Sequence, residues 1–278
     1  MTQQRRNSFR RSPEDVVVAR TIPDTPQTRS PAYRLAFTDE EFLTHEDLRP
    51  VRLQLELLKT EMALDAAGVD STVVLMGSAR IPSPEDGSAG RAAGLARYYD
   101  EARRLARLVT EWSLAEGGRA NVIVTGGGPG IMEAGNRGAA EAGGRSIGLN
   151  IVLPHEQAPN AWVTPELCFN FHYFAIRKMH FLMRAQAICI FPGGFGTLDE
   201  MFESLTLIQT GRMRRVPFLL FGRAFWEEAI RWRMLAAEGL IAEEDLGLFR
   251  FVETAEEALE AIRGWDGPGG AREAVPGR

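Results

Sequence analysis

One stretch constrains this chain more than any other. An apolar run over residues 185–191 passes directly into Pro192-Gly193-Gly194-Phe195-Gly196-Thr197-Leu198-Asp199-Glu200. The run has the length and composition of a strand buried on both faces. Residues 198–210 then read as a helix. Three glycines at a strand-to-helix junction put unpaired backbone N–H groups and the positive end of a helix dipole in one place, which suits an anion. Thr197 can cap the helix or donate to a phosphate. Asp199 and Glu200 fall beside whatever the loop holds. A tight strand–helix turn capped by threonine would account for the glycines alone. The adjoining carboxylates and further loops of the same kind favour a functional site.

A second such junction lies upstream. Residues 121–125 read as a strand that runs into Gly126-Gly127-Gly128-Pro129-Gly130-Ile131-Met132-Glu133. Pro129 suits a first helical position. Glu133 sits one turn into the helix, where it can bond a ligand or favour the helix N-terminus. The spacing is not that of the dinucleotide loop GxGxxG, and the acid expected about 20 residues later has no clear candidate. A third strand, 71–76, ends at Gly77-Ser78-Ala79-Arg80, and both Ser78 and Arg80 can reach an anionic group. Shorter apolar runs at 145–149, 167–171, 216–221 and 248–252 alternate with helical patterns at 92–116, 131–142, 174–184, 224–237 and 254–263. This alternation predicts an α/β fold, one parallel, doubly wound, Rossmann-like sheet.

Between strands, residues 174–180 carry Arg177 and Lys178 at the start of a helix that returns to the glycine loop. Arg177 offers a planar fork for phosphate or sugar oxygens. His172 and His180 read as structural.

The flanks differ from this core. Residues 1–34 hold seven Arg against three acids, a net charge of +4 in a chain of −5, and are rich in Ser, Thr and Pro. They read as a disordered basic tail. Residues 35–68 read as an N-terminal helical extension. In it Leu48, Val51, Leu55, Leu58 and Met62 form an apolar stripe, expected to pack on the sheet or on another subunit. The domain proper is expected over 69–264, with 265–278 a flexible tail. The overall negative charge makes no case for nucleic acid or membrane partners. No apolar stretch approaches the ~20 residues of a membrane span. Cys168 and Cys189 both lie in apolar runs and read as buried thiols, which suits a cytoplasmic location. No metal-ligand spacing occurs.

Taken together, Pro192–Gly196 with Thr197 and Glu200 resembles the PGGxGTxxE motif of the LOG (LONELY GUY) family, often labelled "lysine decarboxylase". Residues 126–133 are similar to that family's GGGxxGxM(E/G) loop, Arg177-Lys178-Met179 to its RKxxM segment, and Gly77-Ser78 to its first loop. The likeness spans roughly residues 70–250. It implies hydrolysis of the N-glycosidic bond of a nucleoside 5′-monophosphate to free base and ribose 5-phosphate. The substrate stays open between cytokinin riboside 5′-monophosphate and AMP, because family members include AMP nucleosidases. The resemblance makes Arg177 and Glu200 the catalytic pair. It makes Gly77, Ser78, Gly127, Gly128, Gly130, Glu133, Lys178, Gly193, Gly194, Gly196 and Thr197 the residues around the substrate and its phosphate. It implies no metal, no redox cofactor and a homodimer or higher homo-oligomer. The base is expected among apolar groups from residues 150–166 and from a second subunit. The motif's usual Glu-Glu pair is Asp199-Glu200 here. No lysine is marked for a pyridoxal Schiff base. Two further readings stay open: a non-catalytic nucleotide or cofactor carrier on the same fold, and a regulatory protein whose Arg-rich arm engages a partner.

Overall fold

A computed structural model describes residues 9–86, 93–154 and 158–267. Seven strands form one sheet: β1 (Thr72–Met76), β2 (Val122–Thr125), β3 (Ser146–Ile151), β4 (Cys168–Phe171), β5 (Ala185–Ile190), β6 (Phe218–Phe221) and β7 (Arg250–Val252). Their order is β4-β3-β2-β1-β5-β6-β7, and every neighbouring pair is parallel. The chain starts in the middle, winds outward through β4, and returns to lay β5 beside β1. The two halves therefore diverge between β1 and β5. In open α/β sheets the crevice at the carboxyl ends of such a pair is where ligands bind.

Both sheet faces are covered. On one face Val73, Leu75, Ala187, Cys189, Phe191, Leu219 and Phe221 pack with helices Arg97–Ala115, Ile131–Glu141 and Ala255–Arg263. The alternate residues Val74, Ile188, Ile190 and Leu220 are just as fully buried. Period-2 side chains buried on both sides explain why the strands read as continuous apolar runs. Each such large aliphatic side chain contributes about 1.5–3 kcal/mol on burial. Phe191, the first residue after β5, stacks on Phe221 with ring centroids 4.1 Å apart, anchoring the start of the glycine loop.

By contact the chain divides into two compact units, Met1–Glu56 and Leu57–Arg278. The boundary falls inside helix Arg49–Ala66 rather than after it. In the first unit, residues 9–34 are not featureless: they hold a helix, Ser12–Ala19, with no buried residue, and a turn tied by Thr25 and Thr28. Residues 1–8 and 268–278, also read as tails, lie outside the described residues, as do 87–92 and 155–157.

The apolar stripe of helix Arg49–Ala66 does not pack on the sheet within the chain, the first of the two places expected for it. The helix's buried residues are Thr60 and Leu64. Val51, Leu55, Leu58 and Met62 stay exposed, Met62 by 67%. The inward face is instead chosen by polar contacts in the second unit: Glu61 meets the buried His180, and Arg184 bonds both Glu61 and Asp65.

Smaller differences concern element ends. β3 runs through Asn150 and Ile151, beyond the apolar run, because Asn150 pairs with Asn170 in β4. The expected 224–237 helix is two helices, Arg223–Ala229 and Trp232–Ala237, broken where Ile230 is extended. Cys189 is buried, whereas Cys168 is only half-buried. No helix among the described residues is long and apolar enough to cross a membrane.

Candidate functional site

Three loops meet at the carboxyl ends of β1, β2 and β5, and backbone hydrogen bonds join them. The Ser78 N–H donates to the Pro192 carbonyl at 3.1 Å, and the Ile131 N–H donates to the Ser78 carbonyl at 3.2 Å. Gly130 makes this approach possible. It has φ +68, and a Cβ there would stand 2.5 Å from the Ser78 carbonyl oxygen and 2.8 Å from the Ala79 carbonyl carbon. Helix Ile131–Glu141 thus starts two residues later than Pro129 suggests, with Gly130 at its N-cap.

The Gly126–Gly130 loop is held from beneath by side chains that no motif marks. Asn160 donates from Nδ2 to the carbonyls of Gly127 and Gly128 and to Asn136 Oδ1, at 3.1, 2.9 and 2.9 Å. Asn136 in turn accepts from the Thr125 hydroxyl at 2.7 Å and donates to Ser146 Oγ at 3.0 Å. Asn136, Thr125 and Ser146 are fully buried. A satisfied buried network of this kind rigidifies what it supports.

These loops border a cleft of about 710 Å³. From the first loop it is lined by Gly77, Ser78, Ala79 and Arg80, from the second by Gly126 and Met132. Gly194, Phe195, Gly196, Thr197 and Glu200 come from the third, and Phe174 and Arg177 from the crossing helix. Helix Phe195–Gln209 begins three residues before its expected start, with Gly194 as N-cap and no capping side chain. Its first internal bond runs from the Leu198 N–H to Gly194. The N–H groups of Phe195, Gly196 and Thr197 are therefore the unpaired donors of a helix N-terminus at the cleft wall. Thr197 is the helix's third residue and not its cap. A Cβ at Gly194 or Gly196 would meet nothing within 4 Å, so both are open towards a ligand.

About one turn further along the same helix, Glu200 forms a nearly buried ion pair with Arg177. Arg177 Nη1 donates to Glu200 Oε1 at 3.1 Å, and the two side chains are 10% and 15% exposed. Arg177 Nε donates to the Leu149 carbonyl at 2.7 Å, and its guanidinium lies 5.1 Å from the Phe181 ring centroid. Gly126 leaves the space that the guanidinium fills: a Cβ there would stand 2.6 Å from Arg177 Nη2. Burial raises the Glu200 carboxyl above the ordinary glutamate range, against the pull of Arg177. The cleft thus holds, from one helix, the hydrogen-bond donors of its N-terminus and a carboxylate whose position is set by a clamped arginine.

Not every residue expected at the site lines it. Gly127, Gly128, Gly130 and Gly193 shape the loops from behind; a Cβ at Gly193 would collide with Thr197. Glu133 accepts from the Tyr99 hydroxyl at 2.8 Å. Burial and that contact push Tyr99 up to about 12. Lys178 turns towards Glu203 and Asp199, at 2.8 and 3.3 Å. Burial alone would lower it, yet those carboxylates outweigh burial and raise it. Asp199 is thereby a partner of Lys178. The sequence reading missed the apolar wall of Met132, Phe174 and Phe195, while Ile151 and Leu153 fall in the region expected to hold the base. Phe174 stands three residues before Arg177, so helical spacing alone would have put both on one face. Among the described residues no group of three or more His, Cys, Asp or Glu side chains is arranged to hold a metal ion.

The family model described as "Possible lysine decarboxylase" matches residues 132–262. The cytokinin riboside 5′-monophosphate phosphoribohydrolase LOG of Oryza sativa subsp. japonica is 26% identical over 167 residues, 59% of this chain and 65% of that protein. The match therefore spans less than two thirds of that relative's length. Among solved structures, the molybdenum cofactor binding protein of Rippkaea orientalis matches at 20% identity and a TM-score of 0.46, covering 70% of this chain and 96% of its own. The Moco carrier protein of Chlamydomonas reinhardtii matches at 19% identity with the same score and coverage. Over residues 132–262 the chain is thus similar to the "possible lysine decarboxylase" family, and over 167 residues to the rice protein.

Proposed function

We propose that the protein hydrolyses the N-glycosidic bond of a nucleoside 5′-monophosphate, releasing the free base and ribose 5-phosphate. The observation that carries this reading is the Arg177–Glu200 pair lining the same cleft as the glycine-opened N-terminus of helix Phe195–Gln209, the helix that carries Glu200. The rice relative's named activity points the same way. The 5′-phosphate sits on the N–H groups of Phe195, Gly196 and Thr197, with Ser78 and Arg80 at its other side. Binding energy from that remote group holds the ribose over Glu200. As the C1′–N bond breaks, its electron pair leaves with the base and positive charge grows on the sugar. The Glu200 carboxylate stabilises that charge. Water adds to C1′ and gives its proton to Glu200, which returns it to the base nitrogen. Arg177 positions the carboxylate and favours its ionised form against burial. The base lies against Met132, Ile151, Leu153 and Phe174. A homodimer or higher homo-oligomer belongs to this reading, and sedimentation measures it.

Incubation of the full chain with AMP and, separately, with isopentenyladenosine monophosphate, followed by chromatography for free base, tests the proposal. Release of base from either is expected. Binding of both without release of base would overturn it and favour a nucleotide carrier.

A further inference from the structure

A second cleft, larger than the first, lies near the β7 edge of the sheet and shares no lining residue with the cleft around Glu200. Its volume is about 1030 Å³, at the upper end of the range for small-molecule sites. Its floor is aromatic. Trp232 and Phe249 have ring centroids 4.5 Å apart, and Phe249 meets Phe251 edge-on at 5.5 Å. Around that floor stand Arg223, Arg231, Arg233 and Arg250.

The charges are not balanced. Glu227 and Glu257 are the acidic residues in the lining. Glu227 is engaged by Arg223 at 3.0 Å, and Glu257 accepts from the Glu253 N–H at 2.7 Å. Among the described residues Arg231, Arg233 and Arg250 form no ion pair. The lining therefore carries a net charge of +2 in a chain of −5. Arg223 also lies 4.5 Å from the Phe251 ring centroid, already forming the guanidinium–aromatic stack that a planar ring can extend. The Trp232 side chain is buried, yet its indole N–H has no acceptor among the described residues.

We propose that this cleft binds a nucleoside di- or triphosphate, its base on Trp232, Phe249 and Phe251 and its phosphates on Arg231, Arg233 and Arg250. Guanidinium forks match phosphate oxygens two at a time, and aromatic faces accept any base. A solvated arginine surface would not need the aromatic floor. The proposal does not depend on the reaction assigned to the other cleft.

Calorimetric titration of the full chain with ATP tests it, with inorganic tripolyphosphate as the probe lacking a ring. ATP binding is expected below about 1 mM, at least about tenfold tighter than tripolyphosphate. Arg231→Ser with Arg233→Ser should weaken ATP at least about tenfold, without loss of thermal stability or of base release from a nucleoside monophosphate. Gly196→Asp, which places a carboxylate in the other cleft, should leave ATP binding here unchanged. Unaltered ATP affinity in the double arginine variant, equal affinity for tripolyphosphate, or no heat at about 1 mM ATP would each overturn the assignment.

Discussion

Replacing Arg177 with methionine probes the site where stability and chemistry are coupled. Methionine keeps most of the length and the apolar contact with Phe181 but removes the charge and the donors to Glu200 and to the Leu149 carbonyl. Glu200 is then a buried carboxylate without its counter-charge. Removing one partner of a buried pair costs about 3–5 kcal/mol, which for a domain of this size lowers the melting temperature by roughly 6–20 °C. The loss should depend on pH with a defined sign. The folded-state carboxyl of Glu200 already lies above the ordinary value because it is buried, and Arg177 works against that rise. Without Arg177 the rise is larger. A carboxyl that binds its proton more tightly when folded loses stability as pH climbs from its unfolded value through its folded one. The deficit of Arg177→Met relative to the parent should therefore be greatest near about pH 8 and shrink towards about pH 5, as falling pH favours the protonated Glu200 carboxyl. Adding Glu200→Gln should recover much of the loss near pH 8, because a neutral amide replaces the stranded charge. Urea unfolding of the parent, both single variants and the double variant at the two pH values measures this cycle. Equal destabilisation of Arg177→Met with and without Glu200→Gln, at both pH values, would refute the argument that Arg177 compensates a buried charge.

Other consequences follow from the same geometry. Base release should fall as pH drops through the raised Glu200 value, so its acid limb should lie above the ordinary glutamate pKa of about 4.3; a limb at or below that value would remove Glu200 as the proton acceptor. Gly130→Ala should cost about 2–4 kcal/mol in urea unfolding, from its positive φ and the overlap with Ser78 and Ala79. Gly196→Ala should leave stability unchanged or raise it by up to about 1 kcal/mol, while weakening nucleotide monophosphate binding; the two glycine variants behaving alike would contradict the division between packed and open glycines. Asn160→Ala removes the donor to the Gly127 and Gly128 carbonyls and should raise KM more than it lowers kcat. An unchanged KM would show that the loop holds its shape without it.

The legible part of this protein is the part set by local chain chemistry. Apolar runs ending in glycine at 76–77, 125–126 and 191–194 announce a parallel sheet with loops at its carboxyl ends, because burial on both faces leaves no polar alternation and the crossovers demand helices. Glu200, Arg177, Ser78, Gly194 and Gly196 could be named as site residues from type and spacing, and all line one cleft. Tertiary packing decided the rest. It separated glycines that make room for neighbours, such as Gly126 and Gly130, from those open to a ligand, since that depends on atoms distant in sequence. It turned Lys178 away to Glu203 and Asp199 and gave Glu133 to Tyr99, because a long side chain bonds the nearest opposite partner that folding supplies. It brought Asn160 under a loop more than 30 residues earlier in the chain. It also rotated helix Arg49–Ala66 so that Thr60 and Leu64 face inward and the Val51–Met62 stripe faces out. Periodicity reports that a helix has an apolar side; only the three-dimensional contacts of Glu61, Asp65 and Arg184 decide which side is buried.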